Sequence, residues 1–139
     1  MPPLLVVQTN GTLRGVADLL VYHNPRCSKS RGALDLLAER GVEADVVEYL
    51  QAPPDRATLE WMIDTIVEPP AELVRHDDRF KALGLDPAGY QDRASVVALL
   101  LEHPELMQRP VVIRDGRGLI ARPSERVLEL LDAPADADA

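Results

Sequence analysis

The chain has 139 residues, of which 46% are hydrophobic and 27% charged, a balance that excludes a wholly disordered protein and fits one domain. Its formal net charge of −8 offers a nucleic-acid backbone no average attraction, so nucleic acid is not an expected partner. The single cysteine excludes an internal disulfide and any cysteine-based zinc site, and no spacing of His and carboxylates predicts another metal site.

No apolar run approaches the roughly 20 residues that a membrane-spanning helix needs, so no membrane contact is expected. The apolar stretch Leu4 to Val7 is too short for a signal peptide and has no basic segment before it. We therefore expect a cytoplasmic protein. Residues 1–17 carry weak structural signals and are assigned as an N-terminal extension.

The first regular pattern is a strand–helix–strand unit. Leu19 to Tyr22 is a short apolar run typical of a buried strand, and His23-Asn24-Pro25 ends it. A helix follows Cys27 and ends at Gly41. The run Val46 to Leu50 predicts a second strand, which in this order lies parallel to the first.

The segment from about residue 55 to residue 103 is expected to be a helical insertion. Its helical pieces are predicted to begin at or near Asp55, Ala71, Arg79 and Asp92. The last piece ends at His103-Pro104 and places Val97, Leu100 and Leu101 on one apolar face.

The C-terminal part predicts a β-hairpin and a final helix. Pro110 to Arg114 and Leu119 to Ala121 are expected to be antiparallel strands, joined by the turn Asp115-Gly116-Arg117-Gly118. A last helix begins at Pro123-Ser124, and residues 132–139 are expected to be a disordered tail. The pattern thus predicts one α/β domain over residues 18–131. Its elements follow the order β-α-β, helical insertion, β-β-α, around a mixed sheet.

The chemical centre of the sequence is the segment from Tyr22 to Arg31. Cys27 lies where a loop passes into a helix, and the free N–H groups there favour a thiolate over a thiol. Positive charges and hydroxyl donors surround it at Arg26, Lys29, Arg31, Ser28 and Ser30. His23 either assists deprotonation of Cys27 or only hydrogen-bonds the loop. A buried structural cysteine is the alternative, and the polar flanks argue against it.

A lower thiol pKa does not by itself make the cysteine a fast nucleophile. Lowering the pKa by about two units from about 8.5 gives roughly 25-fold more thiolate at pH 7, but intrinsic nucleophilicity falls roughly 6- to 10-fold. An anionic substrate therefore needs its charge neutralised as well, and arginines do this with a planar, permanently charged group.

The motif His23-Asn24-Pro25-x-Cys27-x-x-Ser30-Arg31 resembles the active-site loop of the glutaredoxin-coupled arsenate reductases, a thioredoxin-like family. The resemblance covers about Leu19 to Leu131. It includes Glu48-Tyr49-Leu50 with Pro53-Pro54, Arg109-Pro110-Val111-Val112 and Arg122-Pro123-Ser124-Glu125. At Arg26, Ser28 and Lys29 the chain differs from the Ala, Gly and Thr of the better-studied reductases and resembles a less characterised branch.

The resemblance implies a thioredoxin-like fold with a cis Arg109–Pro110 bond and an oxidoreductase that converts arsenate, or a similar oxyanion, to arsenite. It implies a nucleophile at Cys27, oxyanion ligands at Arg75, Arg109 and Arg122, and supporting residues at His23 and Ser30. It implies glutathione as co-substrate and glutaredoxin as partner, with no bound cofactor. A chain with one cysteine agrees with this, because the second thiol must then come from outside.

Two other functions remain open from the sequence. A glutathione-dependent oxidoreductase of the same fold would act on another substrate, such as a glutathionylated thiol. The superfamily also includes redox-sensing regulators that bind RNA polymerase. Those regulators commonly carry Cys-x-x-Cys, whereas this chain has Ser30 at the second position and cannot form that disulfide.

Overall fold

The computed structural model describes residues 19–132. The predicted N-terminal extension lies outside these residues. The predicted tail also lies outside them, except for its first residue, which ends the last helix. Within the described part, the elements follow the predicted order, in which a β-α-β unit precedes a helical segment and a β-β-α unit.

A four-stranded mixed sheet organises the domain. Its strands are β1 (Leu19–His23), β2 (Asp45–Glu48), β3 (Val111–Arg114) and β4 (Arg117–Ile120), in the spatial order β2-β1-β3-β4. The helix α1 (Ser28–Glu39) connects β1 to β2, which are parallel as predicted. The strand β3 runs antiparallel to β1 and to β4.

Two predicted strand boundaries were wrong. The second strand ends at Glu48 rather than Leu50, because the amides of Gln51 and Ala52 turn back to the Glu48 carbonyl at 2.9 and 3.0 Å. The hairpin turn contains two residues rather than four. Asp115 and Gly116 both have positive φ, at 50° and 76°, which is the conformation that a tight hairpin turn requires.

Side chains alternate between the two faces of the sheet, and helices cover both faces. Leu19 and Val21 pack with α1 and with the final helix α5 (Val127–Asp132). Leu20 and Tyr22 point the other way, into a larger core built with the helical insertion. Burial on both faces explains why β1 is an uninterrupted apolar run up to His23.

The insertion contains the helices α2 (Arg56–Thr65), α3 (Asp78–Ala82) and α4 (Arg93–Glu102). Each begins after an aspartate whose side chain accepts a hydrogen bond from an amide three residues on, which satisfies a free N–H of the first turn. The insertion also contains the 3-10 helices Pro70–Leu73 and Pro87–Gly89, and the 3-10 helix Pro104–Leu106 follows it.

Two expectations for the insertion need correction. The helical piece predicted to begin near Ala71 is the short 3-10 helix Pro70–Leu73, because Val74 is extended and forms a β-bridge with Met107. Leu101 was placed on the buried face of α4, but its side chain is 37% exposed. The buried residues of that helix are Val96, Val97, Leu99 and Leu100.

The tight packing at Gly118 yields a prediction for stability. A Cβ at Gly118 would lie 2.8 Å from Ile113 Cγ1 and 3.2 Å from the Val112 carbonyl oxygen. We expect Gly118→Ala to lower the free energy of unfolding by about 1–3 kcal/mol through overpacking. Urea unfolding measures this. Gly89→Ala is the control, since a Cβ there meets nothing within 4 Å. Equal losses in both variants would contradict the packing argument.

Candidate active site

Four chain segments meet at one edge of the sheet. The carboxyl ends of β1, β2 and β4 and the amino end of β3 share this edge, as the pairing of Tyr22 with Val111, and of Val111 with Ile120, requires. The segments that enter or leave the strands there carry Cys27, Tyr49, Arg109 and Arg122. Residues up to 95 positions apart in the chain are thereby brought together.

The loop of the nucleophile is held by its own hydrogen bonds. Cys27 immediately precedes α1 with an extended backbone, as the sequence predicts, and its amide donates to the Asn24 carbonyl at 3.0 Å. The Asn24 side chain accepts from the Arg26 amide at 2.9 Å. The buried Ser30 hydroxyl accepts from the Asn24 amide at 3.3 Å. The thiol therefore has a defined position at the amino end of a helix.

The surroundings of Cys27 favour its thiolate. Burial of the side chain, which is 9% exposed, opposes ionisation. Hydrogen bonds from the Arg109 side chain and from the amides of Ser30 and Lys29 outweigh that effect and lower the pKa of the thiol to about 7. At neutral pH about half of the molecules then carry a nucleophilic sulfur anion.

Arg122 connects the two arginine loops to the nucleophile. Its Nη1 donates to Cys27 Sγ at 3.8 Å and to the Arg109 carbonyl at 3.0 Å. The peptide bonds Arg109–Pro110 and Arg122–Pro123 are both cis. Two guanidinium groups therefore lie beside one sulfur, an arrangement suited to a thiolate and an oxyanion that would otherwise repel each other.

Close packing between α1 and the Arg122 loop sets the distance between sulfur and guanidinium. The Ser124 hydroxyl donates to the Lys29 carbonyl at 2.8 Å. Gly32, one turn further along α1, leaves room for this contact, because a Cβ there would lie 2.7 Å from Ser124 Oγ. The sequence motif contained Ser124 without indicating this role, and Gly32 was not singled out.

A second contact holds the end of β4, two residues before Arg122. Both carboxylate oxygens of Glu68 accept from the Ile120 amide, at 3.2 and 3.1 Å. Arg126 donates to Glu68 and also to the Ile120 carbonyl. This pair could not be predicted from the sequence, because neither residue lies in a motif and they are 58 positions apart.

Tyr49 is fully buried and lies beside Asn24 and Arg109. Its hydroxyl donates to the Met107 carbonyl at 3.4 Å. Burial raises the pKa of Tyr49, while the charge of Arg109 and hydrogen bonds with the side chains of Asn24 and Arg109 act in the opposite direction. Tyr49 thus links the nucleophile loop to the Arg109 loop. Its place in the motif Glu48-Tyr49-Leu50 was the available signal.

The structure does not bring every predicted residue to the sulfur. Arg75 Nη2 lies 3.5 Å from Asp77 Oδ2, and no contact joins Arg75 to Cys27 within residues 19–132. His23 is 6% exposed, and its Nδ1 has no hydrogen-bond partner in the same range. Burial lowers the pKa of His23, with Glu48 raising it and Arg31 lowering it, which favours the neutral ring.

The described residues offer neither a metal site nor a membrane-spanning helix. Among positions 19–132, no group of three or more His, Cys, Asp and Glu side chains could hold a metal ion. Within that range, no helix combines the length and apolar character needed to cross a bilayer.

The known proteins that this chain resembles point to one family. The model of the ArsC family matches residues 22–130. The uncharacterized Escherichia coli K12 protein YfgD is 43% identical over 113 residues, covering 80% of this chain and 94% of the relative. An arsenate reductase of Neisseria meningitidis is 39% identical over 116 residues, covering 82% and 98% respectively.

A solved structure supports the same assignment. The arsenate reductase from Vibrio cholerae has a TM-score of 0.71 at 33% identity, covering 80% of this chain and 95% of that one. The match confirms the predicted thioredoxin-like α/β class.

The electrostatics of Cys27 yield a prediction for its titration. Because the chain has one cysteine, alkylation by iodoacetamide reports on Cys27 alone. We expect the alkylation rate of the wild type to rise with a midpoint near pH 7. Arg109→Met removes a hydrogen bond and a positive charge, so the midpoint should move up towards the value of about 8.5 of a free thiol. Arg117→Met, at an exposed position, is the matched control. An unchanged midpoint in Arg109→Met would contradict this account.

The contact between Gly32 and Ser124 yields a second prediction. The methyl group of Gly32→Ala would push α1 away from the Arg122 loop, so the Cys27 pKa should rise and stability fall by about 1–3 kcal/mol. Alkylation and urea unfolding measure the two effects. Adding Ser124→Gly removes the atoms that clash and should restore part of the titration shift. No relief in the double variant would show that the clash is not the cause.

Proposed function

Since this chain belongs to the ArsC family, we propose that it is an oxidoreductase that reduces arsenate to arsenite. The contact between Cys27 Sγ and Arg122 Nη1 supports the proposal most directly, because it joins a nucleophile to an oxyanion ligand. The relatives named arsenate reductase point to the same substrate. Glutathione and glutaredoxin supply the electrons in this proposal.

In the first step, the Cys27 thiolate attacks arsenic(V). A sulfur–arsenic bond forms, and an arsenate oxygen leaves as water after taking up protons from solvent. The oxidation state of arsenic does not change in this step. Arg109 and Arg122 bind the remaining oxygens and spread their negative charge, which is greatest as the new bond forms.

In the second step, a glutathione thiolate attacks the Cys27 sulfur. A disulfide forms between them, and the electron pair of the sulfur–arsenic bond passes to arsenic, which leaves as arsenite. Arsenic(V) is thereby reduced to arsenic(III) by two electrons. A glutaredoxin thiolate then attacks the glutathione sulfur and releases the Cys27 thiolate.

We assign Arg75 to the oxyanion site as its third ligand. Arg75 follows Val74, which forms a β-bridge with Met107. Because Met107 is two residues before Arg109, the bridge brings the Arg75 segment next to the Arg109 loop. Its partner Asp77 lies at 3.5 Å, and both side chains are partly exposed, at 21% and 31%. Such a surface ion pair costs little to exchange for an oxyanion. In this proposal, Ser30 supports the loop of the nucleophile by accepting a hydrogen bond from the Asn24 amide. His23 is a second supporting residue, with an uncharged ring.

The proposed chemistry also assigns a compartment. A cysteine that must return to the thiolate after each turnover needs a reducing environment with a pool of small thiols, which is the cytoplasm.

The proposal is tested by arsenite production from arsenate with glutathione and glutaredoxin. We expect Cys27→Ser to lose activity completely, because no other cysteine is present. Arg122→Lys keeps the charge but loses the planar fork, and kcat should fall by roughly 10²-fold, as for other losses of an oxyanion donor. Arg117→Lys is the matched control. Wild-type rates from Cys27→Ser, or no arsenite from the wild type, would overturn the proposal.

A further inference from the structure

A cleft of about 270 Å³ adjoins the nucleophile loop on the side of β2. One wall is Asn24-Pro25-Arg26, the segment that leads into Cys27. The other wall comes from Glu48, Leu50 and Gln51, where the chain leaves β2. The two walls are the ends of neighbouring parallel strands, paired at His23 and Glu48. The cleft therefore borders the loop that holds Cys27, since the Asn24 carbonyl in its wall accepts from the Cys27 amide at 3.0 Å.

The cleft contains one positive and one negative charge that do not neutralise each other. Arg26 and Glu48 both line it, but no ion pair joins them within residues 19–132. Within the same range, the Arg26 guanidinium donates no hydrogen bond, although its amide is held by the Asn24 side chain at 2.9 Å. An exposed arginine on a fixed backbone beside an unpaired carboxylate suits a ligand of complementary charge.

The cleft also has an apolar element and a limited size. Leu50 is 44% exposed and gives the cleft an apolar surface. The volume is slightly below the range of roughly 300–1,000 Å³ of small-molecule sites, so the cleft fits part of a short peptide. A carboxylate at one end of such a peptide and an ammonium group at the other would match Arg26 and Glu48.

We propose that this cleft binds free glutathione, with Arg26 on a carboxylate and Glu48 on the γ-glutamyl ammonium group. Binding there holds the peptide sulfur beside the Cys27 loop, where it attacks the Cys27 sulfur and arsenite leaves, as in the second step above. This inference rests on the proposed function and adds the site at which the second thiol is recognised.

The kinetic test separates the thiol from the oxyanion. In the arsenite assay, Arg26→Gln and Glu48→Gln should each raise the KM for glutathione about three- to tenfold, as expected for a partly exposed charged contact. The KM for arsenate should stay within twofold. With β-mercaptoethanol, which carries neither charge, the variants and the wild type should react equally. Lys81→Gln and Glu39→Gln, at exposed positions away from the cleft, are the matched controls.

A binding measurement tests the cleft without turnover. S-methylglutathione cannot form a disulfide, so an NMR titration of the full chain reports recognition alone. We expect saturable shifts at the amides of Arg26, Glu48 and Leu50, weakened in Arg26→Gln. Shifts elsewhere, or an unchanged KM for glutathione in both variants, would overturn the inference. A changed KM for glutaredoxin alone would make the cleft a protein-docking surface and would also overturn it.

The two proposals fail in distinguishable ways. A wild type that releases no arsenite, yet binds S-methylglutathione at Arg26 and Glu48, overturns the proposed function and leaves the thiol site intact. A wild type that releases arsenite with no response to Arg26 or Glu48 overturns the thiol site and leaves the proposed function intact.

Discussion

The chemistry of the site depends on a sulfur anion that lies beside guanidinium groups in a largely buried position. Burial alone would raise the pKa of Cys27, so the thiolate exists only while its hydrogen bonds outweigh the loss of solvation. The donors are the Arg109 side chain, Arg122 Nη1 and the first amides of α1. Each comes from a different segment, so the relative positions of the segments decide the chemistry of the sulfur.

The sheet brings these segments to one edge, and a few contacts hold them there. Ser124 binds the Lys29 carbonyl, where Gly32 permits close approach. Glu68 and Arg126 hold the Ile120 backbone at the end of β4. None of these contacts needs to reach a substrate. They act by fixing where Arg122 stands, and a shift of about 1 Å in such a group can cost two orders of magnitude in rate.

The two sides of this sheet edge differ in charge and in the ligand that they suit. On the side of β3 and β4, permanent positive charges surround the sulfur and suit an oxyanion. On the side of β2, the proposed thiol cleft combines opposite charges with exposed Leu50. Cys27 lies between the two sides because β1 is a central strand of the sheet. In the proposed mechanism, this position lets Cys27 react with an oxyanion on one side and with a thiol on the other.

Much of the fold and part of the site could be predicted from the sequence by itself. Apolar runs and spacings determined the strands and helices, and the breaker His23-Asn24-Pro25 before a helical pattern placed Cys27 at the start of a helix. These are local properties, set by side-chain period and backbone preference. The strand boundaries at Glu48 and Arg117 were missed because turn hydrogen bonds and backbone angles decide them.

Only the tertiary structure decided which side chains meet. The resemblance implied Arg75, Arg109 and Arg122 alike as oxyanion ligands, yet two of them adjoin Cys27, whereas Arg75 pairs with Asp77. Tyr49 and the pair Glu68–Arg126 acquired their roles in the same way. The physical reason is that strand register and packing across the sheet fix distances between residues far apart in the chain. No local pattern carries that information.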